Sequence, residues 1–166
     1  AAAWCLVRVR RGGAFLLGWA SASGTIGRMT STTPAFMDAP ASVIKVANLE
    51  SGAEISVPVH DKGSDQFAAR FKKVAKERRK WARKNDISCY RIYDADLPDF
   101  SVAIDRYDGV WKSEGESCLI VAEYQAPKSI DPEKAEARFR DAVAIASAVS
   151  GIPSGRVFAK TRRREK

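Results

Sequence analysis

An α+β fold is predicted by three features of the chain. Residues 64–84 carry apolar side chains at helical spacing, residues 87–124 alternate at strand spacing between turn residues, and residues 131–151 form a second helix marked at both ends. A further strand pattern follows at GRVFAKTRRREK, so the order is helix, strand, strand, strand or strand extension, helix, strand. Segregated runs of this kind indicate α+β rather than an alternating parallel α/β fold. Length agrees with a modest architecture. A chain of 166 residues, 45% hydrophobic, buries one real core but is short for a catalytic domain plus a separate recognition domain.

Residues 1–59 come first and read as the trailing end of a larger domain. The start AAAWCLVRVRRGGAFLLGWASASG has the outline of a signal peptide, but Arg8, Arg10 and Arg11 interrupt its apolar block, and the signal reading is set aside. Residues 21–42 form a Ser/Thr/Gly/Pro loop, and the GTIG within it is too weak for a nucleotide fingerprint. VIKVANLESGAEISVPV then reads as a hairpin turning at Glu50-Ser51-Gly52. Residues 60–64 are expected to be a linker, and 65–166 a basic helix plus an α+β subdomain. The chain begins without Met and stops inside a strand pattern, as a fragment of a longer protein does.

The helix pattern SDQFAARFKKVAKERRKWARKND opens on Ser64, read as an N-cap whose hydroxyl accepts from a first-turn amide, with Asp65 complementing the positive helix end. Phe67, Phe71, Val74 and Trp81 form an apolar stripe with Ala68, Ala75 and Ala82 beside them, and this stripe is expected to pack on a core. The remaining surface holds Arg70, Lys72, Lys73, Lys76, Arg79, Lys80, Arg83 and Lys84. That is more positive charge than solubility needs, and it repels itself unless an anion is bound.

Net charge is +8, and its distribution is uneven. Residues 62–84 hold ten Lys and Arg against two carboxylates, 85–159 hold eight against 13, and 160–166 hold five against one. Two basic blocks therefore flank an acidic body, the usual footprint of a polyanion-binding surface. Nucleic acid, a solvated face and an acidic membrane surface all fit a basic helix. An apolar stripe claimed by a core weighs against the membrane, because a lipid-bound helix keeps that stripe for lipid.

The strands follow Asn85-Asp86. ISCYRIYD alternates with Ile87, Cys89, Arg91 and Tyr93 on one side and Ser88, Tyr90 and Ile92 on the other. DADLPD is a turn, Pro98 fixing φ and the aspartates capping local amides. FSVAIDRY is the second strand, DGVWKSEGES a polar loop, and CLIVAEYQ the third strand. The aspartates of this region lack the ligand spacing of an EF-hand, and no feature marks them as a catalytic pair, so Asp94, Asp96 and Asp99 are read as structural. Asp131, Pro132 and Glu133 open the second helix, and Gly151 with Pro153 closes it. Its apolar face is Ala135, Phe139, Ala142, Val143, Ala146 and Val149.

Metal and membrane are both excluded from the expected partners. Cys5, Cys89 and Cys118 have neither CxxC nor Cys/His spacing and His60 is the single histidine, so reduced cysteines in a cytoplasmic protein are expected. No run of about 18 apolar residues is present.

QFAARFKKVAKERRKWARKNDISCYRIYDADLPDFSVAIDRY, then VAEYQAPKSIDPEKAEAR and VFAKTRRREK, resembles the middle of the bifunctional bacterial 23S rRNA guanine methyltransferases, which modify N2 of one guanine and N7 of another. The resemblance covers roughly residues 66–166. It rests on CYR-YDADLP-aromatic-VA-D-Y, then EY-AP followed by ID, then the final basic strand. Residues 1–59 are more weakly similar to the end of the preceding N2-guanine domain. The loop GVWKSEGES and the Ser/Thr-rich stretch before residue 43 depart from the family pattern. The resemblance implies an S-adenosylmethionine-dependent enzyme in its full-length form, with 23S rRNA or its assembly precursor as partner. It implies that this segment precedes the cofactor-binding core of the N7 half and itself binds no cofactor and holds no catalytic residue.

The expected RNA contacts are Arg70, Lys72, Lys73, Lys76, Arg79, Lys80, Arg83 and Lys84 on the helix, with Lys160, Arg162, Arg163 and Arg164 on the last strand. Tyr90, Tyr93, Tyr107 and Trp111 are candidates for base stacking, weighed against the commoner place of strand aromatics in the core. A stand-alone, non-enzymatic nucleic-acid-binding module and a domain docking on an acidic protein are the competing classes.

Overall fold

A computed structural model describes residues 40–109, 116–124 and 130–162. The expected loop 21–42 lies almost wholly outside them, as do Cys5, Trp111 and most of the loop DGVWKSEGES. Strands β1 (Ser42–Ala47) and β2 (Glu54–Val59) form an antiparallel hairpin in which Ile44 faces Val57 and Ala47 faces Glu54. The expected turn is present. Asn48 Oδ1 accepts from the amides of Glu50 at 2.8 Å and Ser51 at 3.0 Å, and Gly52 takes φ +73°.

Helix α1 (Ser64–Lys84) and helix α2 (Pro132–Ser150) cover one face of a four-stranded sheet. Its strands are β3 (Cys89–Asp94), β4 (Val102–Tyr107), β5 (Cys118–Tyr124) and β6 (Val157–Arg162), in that spatial order. The first three form an antiparallel meander, and β6 returns parallel to β5 after α2. The α+β class predicted from the sequence is the class observed. One core joins Ile44, Val46, Val57 and Val59 of the hairpin to Phe67 and Phe71 of α1, Ile104 and Val121 of the sheet, and Ile145 and Val149 of α2. Phe67 stacks on Phe100 with ring centres 4.6 Å apart and meets Tyr93 edge-on at 5.2 Å.

Helix α2 forms as its caps predict. Asp131 accepts from the Glu133 amide at 3.1 Å, Pro132 occupies the first turn, and Gly151 closes the helix at φ +71°. Gly151 is also where the hairpin docks: the Leu49 amide donates to Val149 O at 2.8 Å, and a Cβ at Gly151 would lie 2.9 Å from Asn48 Oδ1.

Several local expectations are corrected. Ser64 is not the N-cap of α1: that position is Gly63, without a side-chain cap, and the buried Ser64 hydroxyl donates instead to Asp141 Oδ2 at 2.6 Å. A buried carboxylate is a stronger acceptor partner for a hydroxyl than a helix amide is a donor, which decides the competition. Strict alternation in the first strand also fails. A bulge between Arg91 and Tyr93 makes Ile92 the extra residue, so Ile92 and Tyr93 are both buried while Cys89 and Arg91 stay exposed. Trp81 does not join the core stripe but remains 45% exposed.

The aspartates at the end of β3 and after it serve the fold by another route than local amide capping. Asp96 pairs with Arg70 at 2.8 Å and Asp99 with Arg138 at 2.9 Å, while Asp94 accepts from Arg91 at 2.9 Å and from the Tyr124 hydroxyl at 2.7 Å. The connection itself is closed by Tyr93, whose hydroxyl accepts from the Leu97 amide at 2.9 Å and donates to Phe100 O at 3.3 Å. Asp141, on α2, is 1% exposed and collects the segment before α1: it accepts from the His60 and Asp61 amides, His60 Nδ1 and Ser64 Oγ.

Candidate nucleic-acid interface

The cations of α1 are sorted by the geometry of the helix itself. One side is taken by Phe67, Ala68, Phe71, Val74, Ala75 and Ala82, all buried. At about 3.6 residues per turn, Lys72, Lys76, Lys80, Arg83 and Lys84 recur one turn apart on the opposite side, with Lys73 alongside, and all six are exposed. Each step of four residues advances about 6 Å, so the row runs roughly 18 Å along the helix. None of the six has an ion-pair partner among the described residues.

Arg70 and Arg79 stand apart from that row. Arg79 Nη1 donates to Leu49 O at 2.6 Å, and its other nitrogen pairs with Glu50, with the side chain 18% exposed. Arg106 of β4 reaches the same Glu50 at 3.2 Å and Asp108 at 2.7 Å, so this cluster ties α1 and the hairpin turn to the sheet. Arg70 is held by Asp96. Both guanidinium groups therefore have a structural task that the sequence pattern did not separate from the exposed lysines.

Lys160 is exposed on β6, at the sheet edge opposite β3, the strand along which α1 packs. The fold does not bring it into the α1 row. The side chains of Arg162, Arg163 and Arg164 lie outside the described residues. Of the aromatic candidates, Tyr93 is core at 1% exposure, while Tyr90 and Tyr107 are half-buried, and burial raises the pKa of all three phenols.

One cation of α1 escaped the sequence reading. Arg78 follows Phe71 by seven and Val74 by four, on the apolar side, yet it is exposed and lines a groove with Trp81 between α1 and β3. A cation in register with an apolar stripe was the available signal that the stripe is interrupted there before it resumes at Ala82. Cys89 and Cys118 are both free thiols, the second pushed up by burial. Among the described residues no group of three or more His, Cys, Asp or Glu converges, and no helix is long and apolar enough to cross a membrane.

No protein-family model matches the chain. Over 105 residues, 62% of its length, it is 46% identical to a ribosomal RNA large subunit methyltransferase K/L of Methylococcus capsulatus. Over 108 residues, 65% of its length, it is 47% identical to the protein of that name from Acinetobacter baylyi. The matched stretch makes up 13% and 14% of those two proteins, so the chain corresponds to a small part of each.

Proposed function

We propose that this chain is part of an S-adenosylmethionine-dependent guanine methyltransferase of 23S rRNA, and that it binds the rRNA and positions the substrate for a catalytic domain outside it. On this reading residues 1–59 end an N2-guanine domain and residues 65–166 lead an N7-guanine domain. The similarity to two large-subunit rRNA methyltransferases supports the enzyme class. The observation that carries the segment's role is the row of six exposed cations on α1, aligned opposite the face that the core consumes.

A base inside folded RNA is reached only if the RNA is gripped by its backbone while the nucleotide is presented out of its stack. Lysines on a rigid helix neutralise phosphates without reading sequence, and the released counterions drive binding. Such a grip holds the duplex part of a substrate and leaves base selection to the catalytic fold. The α1 row is rigid because the opposite face is fixed by Phe67, Phe71 and Val74.

The test is fluorescence anisotropy with a labelled large-subunit rRNA fragment, challenged with polyglutamate and with unlabelled RNA. RNA should displace the probe at far lower charge concentration than polyglutamate. Equal displacement by both would replace this reading with docking on an acidic protein. The chain alone should neither bind S-adenosylmethionine in a calorimetric titration nor transfer methyl groups to the fragment.

A further inference from the structure

Trp81 is placed where a large aromatic ring is expensive. Its ring is apolar, yet the side chain is 45% exposed and makes no ring contact with another described aromatic residue. Its position near the end of α1 explains the geometry. The apolar side of α1 is buried from Phe67 to Ala75 and again at Ala82, but at its margin Arg78 and Trp81 line a groove along β3, an outer strand of the sheet among the described residues. Val74 and Ile92 form an apolar floor, and Tyr90 stands half-buried beside them. Conflict between a local pattern and the packed fold marks functional positions more often than random ones.

The charges around the groove select what enters it. Arg70 is neutralised by Asp96, and Arg91 by Asp94 at 2.9 Å and Asp105 at 2.8 Å. With Glu77 also lining the groove, Arg78 is its one lining cation without an ion-pair partner among the described residues. The phosphate-compatible surface is the lysine row on the adjoining side of the same helix, and Arg78 sits three residues before Trp81 at the rim. A strand tracking the lysines would leave its backbone on that row and turn an uncharged base into the groove. A peptide adding to the β3 edge fits worse, because the bulge at Arg91–Tyr93 and the charged Arg91 interrupt the backbone ladder such a partner needs.

We propose that the groove between α1 and β3 binds an unpaired nucleobase of the RNA, with the Trp81 ring as its stacking platform. This rests on the rRNA-binding reading above and deepens it: the lysine row takes backbone, and Trp81 distinguishes single-stranded from paired RNA. Indole stacking is open to every base, so the site selects unstacked nucleotides rather than a sequence.

The experiment measures affinity of the full chain for two RNAs of equal phosphate count, one an unstructured oligonucleotide and one a blunt duplex, over a range of salt. Trp81→Leu should weaken binding of the unstructured RNA roughly 5- to 150-fold, the range of one lost base–aromatic stack. Duplex affinity and both salt slopes should stay as they were, and Trp81→Phe should restore most of the loss. In a chain whose Trp4, Trp19 and Trp111 are changed to Phe, the remaining Trp81 emission should be quenched by the unstructured RNA and not by the duplex. Equal losses on the two RNAs, or an unquenched Trp81, would overturn the stacking site while leaving the lysine row intact. Failure of the unaltered chain to bind either RNA would remove both readings together. Quenching by an extended peptide, with none by RNA, would hand the groove to a protein partner.

Discussion

Replacing Asp141 by Ala should be among the most damaging single changes in this fold. The carboxylate is 1% exposed and accepts from the His60 amide at 2.9 Å, the Asp61 amide at 2.8 Å and Ser64 Oγ at 2.6 Å, with His60 Nδ1 at 3.0 Å. Together these bonds fix the chain between β2 and α1 onto α2. Alanine leaves the fully buried Ser64 hydroxyl without its acceptor and two part-buried amides with only what water supplies. Each orphaned buried group costs about 1–3 kcal/mol, and the amides fall at the low end because solvent reaches them, so the total is about 3–5 kcal/mol. Asp141→Asn keeps one acceptor oxygen but turns an NH2 toward donors, which gives an intermediate loss of about 2–3 kcal/mol. Ser64→Ala removes one donor and leaves the carboxylate three others, for about 1 kcal/mol. Urea unfolding of the chain, followed by circular dichroism, should rank the variants in that order. The Ser64→Ala and Asp141→Asn losses should be non-additive, since the two side chains touch. An Asp141→Ala loss below about 1 kcal/mol would refute the reasoning, because it would mean those donors are satisfied without the carboxylate.

Other positions yield separate expectations. Gly151→Ala should cost at least about 1 kcal/mol, since φ of +71° strains an L residue and the new methyl meets Asn48 Oδ1 at 2.9 Å; thermal melting that matches the parent chain would refute this. Phe67→Ala should cost about 3–5 kcal/mol in urea unfolding, because the ring is fully buried against Phe71, Tyr93 and Phe100. Burial raises the pKa of Glu123 above the ordinary carboxylate value, opposed by the Thr161 hydroxyl and reinforced by Glu136. The folded chain therefore keeps this proton to higher pH than the unfolded chain, and its contribution to stability declines as pH rises from the ordinary value through the raised one. Glu123→Gln should accordingly raise the melting temperature at neutral pH and leave it nearly unchanged in acid; a lower melting temperature at neutral pH would show that the Thr161 bond outweighs burial.

What the sequence disclosed and what it concealed divide along the range of the interactions. The ends of α2 were legible because Asp131, Pro132 and Gly151 act on their own neighbours, and the hairpin turn at Asn48–Ala53 is likewise local. The buried face of α1 was legible at Phe67, Ala68, Phe71, Val74, Ala75 and Ala82 because periodicity reports which side faces a core. Periodicity does not report how wide the covered strip is, so Trp81 at its margin shares the pattern of the core residues yet is exposed, and Arg78 lies in register with them unburied. Asp141 was invisible as a hub because its partners lie 77 to 81 residues away. The bulge that turns Tyr93 inward depends on the register with β4, which no single strand encodes. Among the cations, only the folded chain separates Arg79, committed to Leu49 and Glu50, from the exposed lysines that share its sequence block.

The salt dependence of RNA binding after loss of the lysine row tests the account most directly. Lys72, Lys73, Lys76 and Lys80 are all exposed and off the buried face, and their replacement by Gln keeps helix propensity while deleting four charges. The apparent association constant for a structured large-subunit rRNA fragment would be measured against salt for the parent and the quadruple variant, with circular dichroism and thermal melting to verify the fold. If all four lysines meet duplex phosphates, the log–log slope should shrink by roughly 3 to 4 units, and by a smaller but clear amount on irregular RNA. An unchanged affinity and slope in a normally folded variant would contradict the account and reduce the row on α1 to a solvated helix face.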